Sequence, residues 1–192
     1  MNKVVIVILV WLSLCHASFG QTQKGYLMAG GDFGGFTYNS SGADNKSYNF
    51  NISPSIGYYV ADRLAVGAII TVGVTGVESA DGQTTTNSNY GISPFIRYYF
   101  TNDPRDKYFI QGKFNGGGIK QTGVENNTYA GYGVGLGYNH FFVKIIALEI
   151  GLGYDFLHPE TGHDENNFGV NLGLQIFLPT RGVKAAASQD GL

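Results

Sequence analysis

The 192-residue chain has few charged residues and a single cysteine. Lys and Arg number 12 and Asp and Glu number 14, so 14% of residues are charged and the formal net charge is −2. An ordinary soluble domain has about 25% charged residues. The lack of a basic cluster argues against nucleic acid as a partner, and one cysteine cannot form a disulfide framework. Something other than water must therefore face much of the surface.

Long apolar runs are also scarce. The one at the amino terminus, residues 4–14, follows Lys3 and precedes the shorter segment Ala17-Ser18-Phe19-Gly20. Eleven residues are too few to span a bilayer, so this pattern predicts a signal peptide over residues 1–20, cleaved between Gly20 and Gln21. Cys15 would be removed with it. We therefore expect a cysteine-free exported domain over residues 21–178, followed by a tail over residues 179–192.

What is abundant is glycine, 29 residues, and aromatic residues, 14% of the chain. Alternation of apolar and polar residues predicts β-strands. The eight expected strands cover residues 25–38, 47–60, 64–77, 89–100, 107–119, 129–141, 145–156 and 168–178. The connections between them alternate between long polar stretches and short turns. This layout predicts an all-β, eight-stranded antiparallel up-and-down barrel, with four long loops at one end.

One face of these strands lacks charge altogether. Even-numbered positions of strands two to eight, and odd-numbered positions of the first, carry apolar or small side chains, whereas the opposite face is polar and rich in glycine. A soluble carrier barrel would show the reverse arrangement, so we expect the apolar face to contact lipid and the barrel to span a membrane. Aromatic residues concentrate near both ends of the apolar face, as in membrane-interface belts.

A repeat supports construction from hairpins. Residues 52–60, ISPSIGYYV, match residues 92–100, ISPFIRYYF, forty positions later. Both copies contain a proline inside a strand, Pro54 and Pro94, where it removes a ladder donor. A shared bulge or a locally open seam is the expected accommodation.

Three segments resemble a known family: GYLMAGG at residues 25–31, IGYYVADRLAVG at 56–67 and GVNLGLQIFL at 169–178. They are similar to the small outer-membrane β-barrel domains of Gram-negative bacteria, the OmpX-like and OmpA-like porin family proteins. The resemblance implies location in the outer membrane and insertion by the barrel-assembly machinery through a final aromatic residue, for which Phe177 is the candidate. We expect a monomer in the lipid bilayer, with an unidentified extracellular ligand or surface as partner.

Catalytic and metal chemistry have little support, and we expect no enzyme, no cofactor and no metal. His140 has lipid-facing parity, but a lipid-modifying outer-membrane hydrolase would need a serine two residues away, where Phe142 stands. A second group, His158, Glu160, His163, Asp164 and Glu165, lies in one predicted loop without the spacing of a tetrahedral metal site.

The better-defined constellation faces the lumen. Charged side chains inside a barrel must be paired or hydrated, so we expect a polar network that fills the lumen. Its members are Asp32, Arg97, Lys113, Glu149, Asp155, Asn171 and Gln175. Two functions remain open: a structural or interaction role with a plugged lumen, or a narrow pore for small solutes.

Overall fold

The computed structural model describes residues 21–41, 45–78, 84–121, 127–160, 163–180 and 183. It contains eight antiparallel strands that close into a barrel in chain order. They are β1 (Tyr26–Ser41), β2 (Asn45–Ala61), β3 (Leu64–Glu78), β4 (Thr84–Tyr99), β5 (Asp106–Gln121), β6 (Asn127–Val143), β7 (Ile146–Pro159) and β8 (Glu165–Pro179). The predicted fold is confirmed. Among the described residues, no helix is long and apolar enough to cross a membrane.

Side-chain direction follows the predicted parity. Large apolar side chains at even positions of β2 to β8 are exposed on the outer wall, for example Ile56, Ile96, Leu136 and Leu172, as is Phe33 on β1. Within the barrel wall, successive residues must point to opposite faces. The odd positions of these strands therefore face the lumen, where Arg97 and Glu149 are almost fully buried.

The strands are longer than the sequence predicted. They have 14 to 17 residues, and they continue into the stretches expected to be long loops. Residues 39–46 were expected to be a loop, for example, but β1 runs to Ser41 and β2 starts at Asn45. Polar side chains do not end a strand when its backbone groups can pair with a neighbour, so most of each predicted loop forms a hairpin.

The short-turn end is crossed by the segment that precedes β1. At the short-turn end, the backbone of residues 22–25 crosses the rim: Gly25 N donates to Tyr59 O at 2.9 Å, and Arg63 N donates to Thr22 O at 2.6 Å. Arg63 has φ of 66° in the β2–β3 turn. The predicted cleavage site involves Gly20, which lies outside the described residues, as does most of the predicted tail.

Neither strand proline causes a bulge. The β2–β3 register is the same on both sides of Pro54, and the β4–β5 register is the same on both sides of Pro94. Each ladder instead loses its pairing at the proline and the residue before it. Beside Pro94, the Ser93 hydroxyl donates to Asn115 Oδ1 at 2.9 Å across the interrupted ladder. Of the two expected accommodations, the locally open seam is therefore the one found at both prolines, and beside Pro94 it is bridged on the luminal side.

Candidate functional site

The lumen holds an ion pair close to the short-turn end, where Arg97 lies just before the end of β4 and Glu149 just after the start of β7. Arg97 of β4 and Glu149 of β7 form a bidentate pair, with Nη1 to Oε2 at 2.7 Å and Nη2 to Oε1 at 2.9 Å. Both side chains are only 4% exposed. Such a fork geometry fixes the orientation of both groups and joins opposite walls of the barrel.

Side chains from neighbouring strands form further hydrogen bonds with this pair. Arg97 Nε donates to Gln111 Oε1 at 2.8 Å, and Asn139 Nδ2 donates to Glu149 Oε2 at 2.9 Å. The Arg97 guanidinium also lies 3.9 Å from the centroid of the Phe109 ring. Buried charges are stable only when they are bonded in this way.

Between the ion pair and the short turns, the lumen is filled by aromatic rings. Tyr99 packs against Phe109 with centroids 5.4 Å apart, and Phe141 packs against Phe177 at 4.8 Å. Tyr59 lies between the two pairs, 5.9 Å from Tyr99 and 6.4 Å from Phe177. Together with Met28, Ala65, Phe95 and Ala147, these five rings form the buried hydrophobic core of the described residues. We call the five rings of Tyr59, Tyr99, Phe109, Phe141 and Phe177 the aromatic layer.

A second ion pair lies farther toward the long-loop end. Lys113 Nζ and Asp155 Oδ2 are 3.0 Å apart, with about a fifth of each side chain exposed. Asn115 Nδ2 donates to the other Asp155 oxygen at 2.8 Å. Four of the five predicted charged residues therefore form two separate layers, one deeply buried and one partly exposed.

The other three predicted residues do not join either ion pair. Within the described part of the chain, Asp32 Oδ1 has no hydrogen-bond partner, and the carboxylate lies over Gly173 of β8. Gln175 Nε2 donates to Ser55 Oγ at 3.4 Å, and Gln175 Oε1 is buried without a partner. The side chain of Asn171 faces the cavity above the ion pair.

That cavity has a volume of about 310 Å³ and reaches from Arg97 and Glu149 to Asn167 near the long-loop end. One wall carries polar side chains. The other is backbone at Gly135, Gly151 and Gly153, so the cavity stays open there. A second cavity of about 240 Å³ lies closer to the rim and is lined in part by His163 and Glu165.

The two histidine-containing groups outside the lumen are separated along the barrel. His158 Nδ1 lies 2.8 Å from Asp164 Oδ1, at the long-loop end. His140 Nδ1 lies 2.8 Å from Asp106 Oδ1, on the outer wall at the short-turn end. Among the described residues, no three His, Cys, Asp or Glu side chains come close enough together to hold a metal ion.

Sequence reasoning missed the aromatic layer, because it treated the luminal face as polar and small throughout. The signal was present as aromatic doublets at the short-turn ends of the strands. In Tyr58-Tyr59 and Tyr98-Tyr99, the even residue faces outward and the odd residue fills the lumen. Two adjacent aromatics on one strand must point to opposite faces, so only one of each pair can belong to an interface belt. Phe177, the candidate terminal aromatic, likewise faces the lumen.

Neither family models nor curated proteins match the sequence. Solved structures do match. Neisserial surface protein A aligns with 19% identity and a TM-score of 0.50, covering 81% of this chain and 96% of that one. The outer membrane protein AlkL, solved in lipid bilayers, aligns with 12% identity and a TM-score of 0.53, covering 87% and 96%.

The fold is that of the small outer-membrane β-barrels. The amino-terminal barrel of Pseudomonas aeruginosa OprF is a further match, with 12% identity, a TM-score of 0.48 and coverage of 81% and 98%. The matches to Neisserial surface protein A and AlkL confirm, at the level of the fold, the resemblance inferred from sequence segments. At these identities the likeness concerns backbone architecture and leaves the luminal side chains to be interpreted from this chain alone.

Proposed function

We propose that the protein is an integral outer-membrane barrel with a structural or interaction role and a lumen closed to ion flow. Support for a membrane comes from the outer wall. Its large exposed side chains are apolar along every strand. Among the residues whose side chains the structure describes, an outward Asp, Glu, Lys or Arg occurs only at Asp106 and Lys120, the first and next-to-last residues of β5. One Lys or Arg at a bilayer midplane would cost roughly 2 to 4 kcal/mol. The absence of such residues favours lipid as the surrounding solvent.

Closure of the lumen is supported by one observation above all. The bidentate Arg97–Glu149 pair spans the barrel and lies directly on the aromatic layer. An ion crossing this level would have to separate a buried charge pair and displace packed rings. Both steps are costly in a close-packed interior. The cavity on the long-loop side would then be a vestibule and not part of a continuous channel.

A narrow pore is the alternative, and the vestibule is the observation that favours it. The partly exposed Lys113–Asp155 pair and the glycine wall leave space for water over part of the lumen. Conduction would still require Arg97 and Glu149 to separate and the aromatic layer to open.

We further propose a non-enzymatic role, since His140 is bonded to Asp106 and Phe142 stands where a hydrolase would place a serine.

Planar-bilayer recordings test the proposal. The purified barrel should insert without producing resolved conductance steps, and Glu149→Ala should show whether the ion pair alone blocks flow. Lys113→Gln is the matched control, since it removes a luminal charge above the buried layer. Reproducible steps in the unsubstituted protein would overturn the closed lumen and favour the pore.

The remaining partners are part of the same proposal. We propose a monomer that is inserted by the barrel-assembly machinery and presents its long-loop end to an extracellular ligand or surface. Replacing the hairpin tips with short glycine-containing turns, one at a time, and measuring cell-surface binding would identify the hairpin involved. Equal binding by all four variants would contradict an interaction role for this end.

A further inference from the structure

Asp32 is the charged residue of the cavity lining that belongs to neither luminal ion pair. It lies on β1, directly opposite Ser53 of β2 and Gly173 of β8. Oδ1 of its carboxylate is buried without a hydrogen-bond partner, and the ion pairs among the described residues do not include it. A carboxylate inside a protein is costly when its bonding is incomplete. Asp32 therefore has bonding capacity that the described residues leave unused.

The cavity above the buried ion pair carries an excess of negative charge. Its described lining has two cations and three carboxylates: Arg97, Lys113, Asp32, Glu149 and Asp155. Arg97 and Lys113 are near enough for their charges to act on Asp32. Each of these cations is nevertheless bonded to a different carboxylate, at 2.7 Å and 3.0 Å. One negative charge is thus left without a partner, and a cleft with an excess of one sign attracts the opposite charge.

Glycine at position 173 makes room for the carboxylate. A β-carbon there would overlap Asp32 Oδ1, so the carboxylate occupies the space of the missing side chain. The next luminal pair toward the long loops is Asn171 of β8 and Gly151 of β7. A β-carbon at position 151 would lie 3.8 Å from its nearest described neighbour, so the wall is open there. Asp32 is itself partly exposed and lines the cavity. Free space therefore lies on the long-loop side of its carboxylate.

The unbonded polar atoms of the cavity lining are acceptors. Besides Asp32 Oδ1, the side-chain oxygen of Asn51 is buried without a partner in the part of the chain that the structure describes. An ionised carboxylate can only accept hydrogen bonds, whereas an ammonium group has three donors and no acceptor. A primary ammonium group would therefore supply both the donors and the positive charge that this part of the lumen lacks.

The cavity is large enough for a small organic molecule and is connected to the long-loop end. Its volume of about 310 Å³ is at the lower end of the range for small-molecule pockets, about 300 to 1,000 Å³. Tyr129, Leu157 and Asn167 line both this cavity and the one at the rim, so the two adjoin. Glu165 lines the rim cavity and has the same charge as Asp32. A cation would thus be attracted along the whole path.

We propose that Asp32 is the central residue of a binding site for a small primary amine that enters the cavity from the long-loop end. The ammonium group donates to the Asp32 carboxylate, and the alkyl part lies along the wall formed by Gly135, Gly151 and Gly153. The site requires the cavity but does not require a closed lumen. Conductance steps in bilayer recordings would contradict the proposed closure alone. Failure of a non-conducting barrel to bind amines would contradict this site alone.

Calorimetric titration of the barrel in lipid nanodiscs tests the site with three probes of similar size: butylammonium, 1-butanol and butyrate. Only butylammonium should bind, after subtraction of its partition into empty nanodiscs. Asp32→Asn keeps the shape of the side chain and removes its charge, so it should weaken binding by about tenfold or more, as expected for loss of a charge-assisted hydrogen bond. Asp164→Asn is the matched control, because it removes the same charge from an exposed side chain at the rim. It should leave the affinity unchanged.

A second measurement needs no variant, so the test survives an Asp32→Asn barrel that fails to fold. In solid-state NMR, the nitrogen of ¹⁵N-labelled butylammonium should show dipolar coupling to ¹³Cγ of Asp32. Absence of this coupling, or a ¹³Cγ shift of a protonated carboxyl group in the presence of the amine, would overturn the site. Equal affinity of Asp32→Asn and the unsubstituted barrel would overturn it as well. Displacement of butylammonium by an equal concentration of sodium would overturn the assignment to an organic amine.

Discussion

The ring of Phe109 lies over the α-carbon of Gly137, its direct partner across the β5–β6 ladder. A β-carbon at position 137 would overlap the ring. The same relationship holds for Phe95 and Gly67, for Asp155 and Gly133, and for Asp32 and Gly173. A narrow barrel can hold large side chains in its lumen only when the facing positions lack them. Each of these luminal glycines thus faces a large luminal side chain on the neighbouring strand.

Gly137→Ala should destabilise the barrel because the new methyl group displaces the Phe109 ring from the aromatic layer. Overpacking of this kind costs about 1 to 3 kcal/mol. The measurement is the free energy of unfolding, from urea titration of the barrel refolded into lipid vesicles. Phe109→Leu in the Gly137→Ala background should recover part of the loss, since the smaller side chain makes room.

Gly153→Ala is the control for that prediction. Its nearest neighbour would be Val134 O at 4.0 Å, so a methyl group fits without displacement. Glycine inside a strand is roughly 0.5 to 1 kcal/mol less stable than alanine, so this variant should equal or exceed the unsubstituted barrel in stability. Similar losses for both variants would show that the overlap with Phe109 is not the cause.

Glu149→Ala should be among the most destabilising single substitutions, because it leaves the buried Arg97 guanidinium without its counter-charge. Breaking such a pair typically costs about 3 to 5 kcal/mol. Replacing both residues, as in Arg97→Met with Glu149→Leu, should recover more than half of that loss. The four free energies of unfolding form a double-mutant cycle. If the double variant lost as much stability as the sum of the two single substitutions, direct coupling between Arg97 and Glu149 would be contradicted.

The Lys113–Asp155 pair should behave differently, because both side chains remain partly hydrated. Pairs of this kind contribute about 0 to 1 kcal/mol and are screened by salt. Asp155→Asn should therefore have a small effect at low salt, and none in about 1 M NaCl, where the Debye length is about 3 Å. A loss as large as that of Glu149→Ala would place this pair in the dry part of the lumen.

The sequence was sufficient to predict the barrel and which face of each strand points outward. Strand alternation is a local pattern, and a charged side chain facing lipid is energetically costly. The inward direction of Arg97, Lys113 and Glu149 follows from the same parity. Which of these charges meet does not follow, since it depends on registers that bring β4 opposite β7 across the lumen. Arg97 reaches Glu149 over 52 sequence positions, and Asp32 is left outside the pair.

The lengths of the strands were also beyond local reasoning. Residues 84–88 are polar, Thr-Thr-Thr-Asn-Ser, and indicate a loop when considered alone. They form part of β4 because Thr84 to Ser88 pair with Val74 to Glu78 on β3. Backbone pairing with a neighbouring strand overrides weak side-chain preference, as expected for β-structure.

The seam between β1 and β8 leads to a prediction about local stability. Pairing runs from Tyr26↔Pro179 to Phe33↔Leu172 and ends there, whereas β8 continues to pair with β7 as far as Glu165. Over residues 166–171, β8 therefore pairs with β7 on one side and has no ladder partner among the described residues on the other. Alternate amides in this stretch should exchange with deuterium orders of magnitude faster than those of residues 174–178, because local opening there breaks fewer bonds.

Tyr154 is the internal control at a similar height, since β7 is paired there with Val134 on one side and Phe168 on the other. Residue-resolved exchange in lipid nanodiscs makes the comparison, and protection of Val170 and Asn171 equal to that of Tyr154 would show that the β1–β8 ladder extends beyond Phe33.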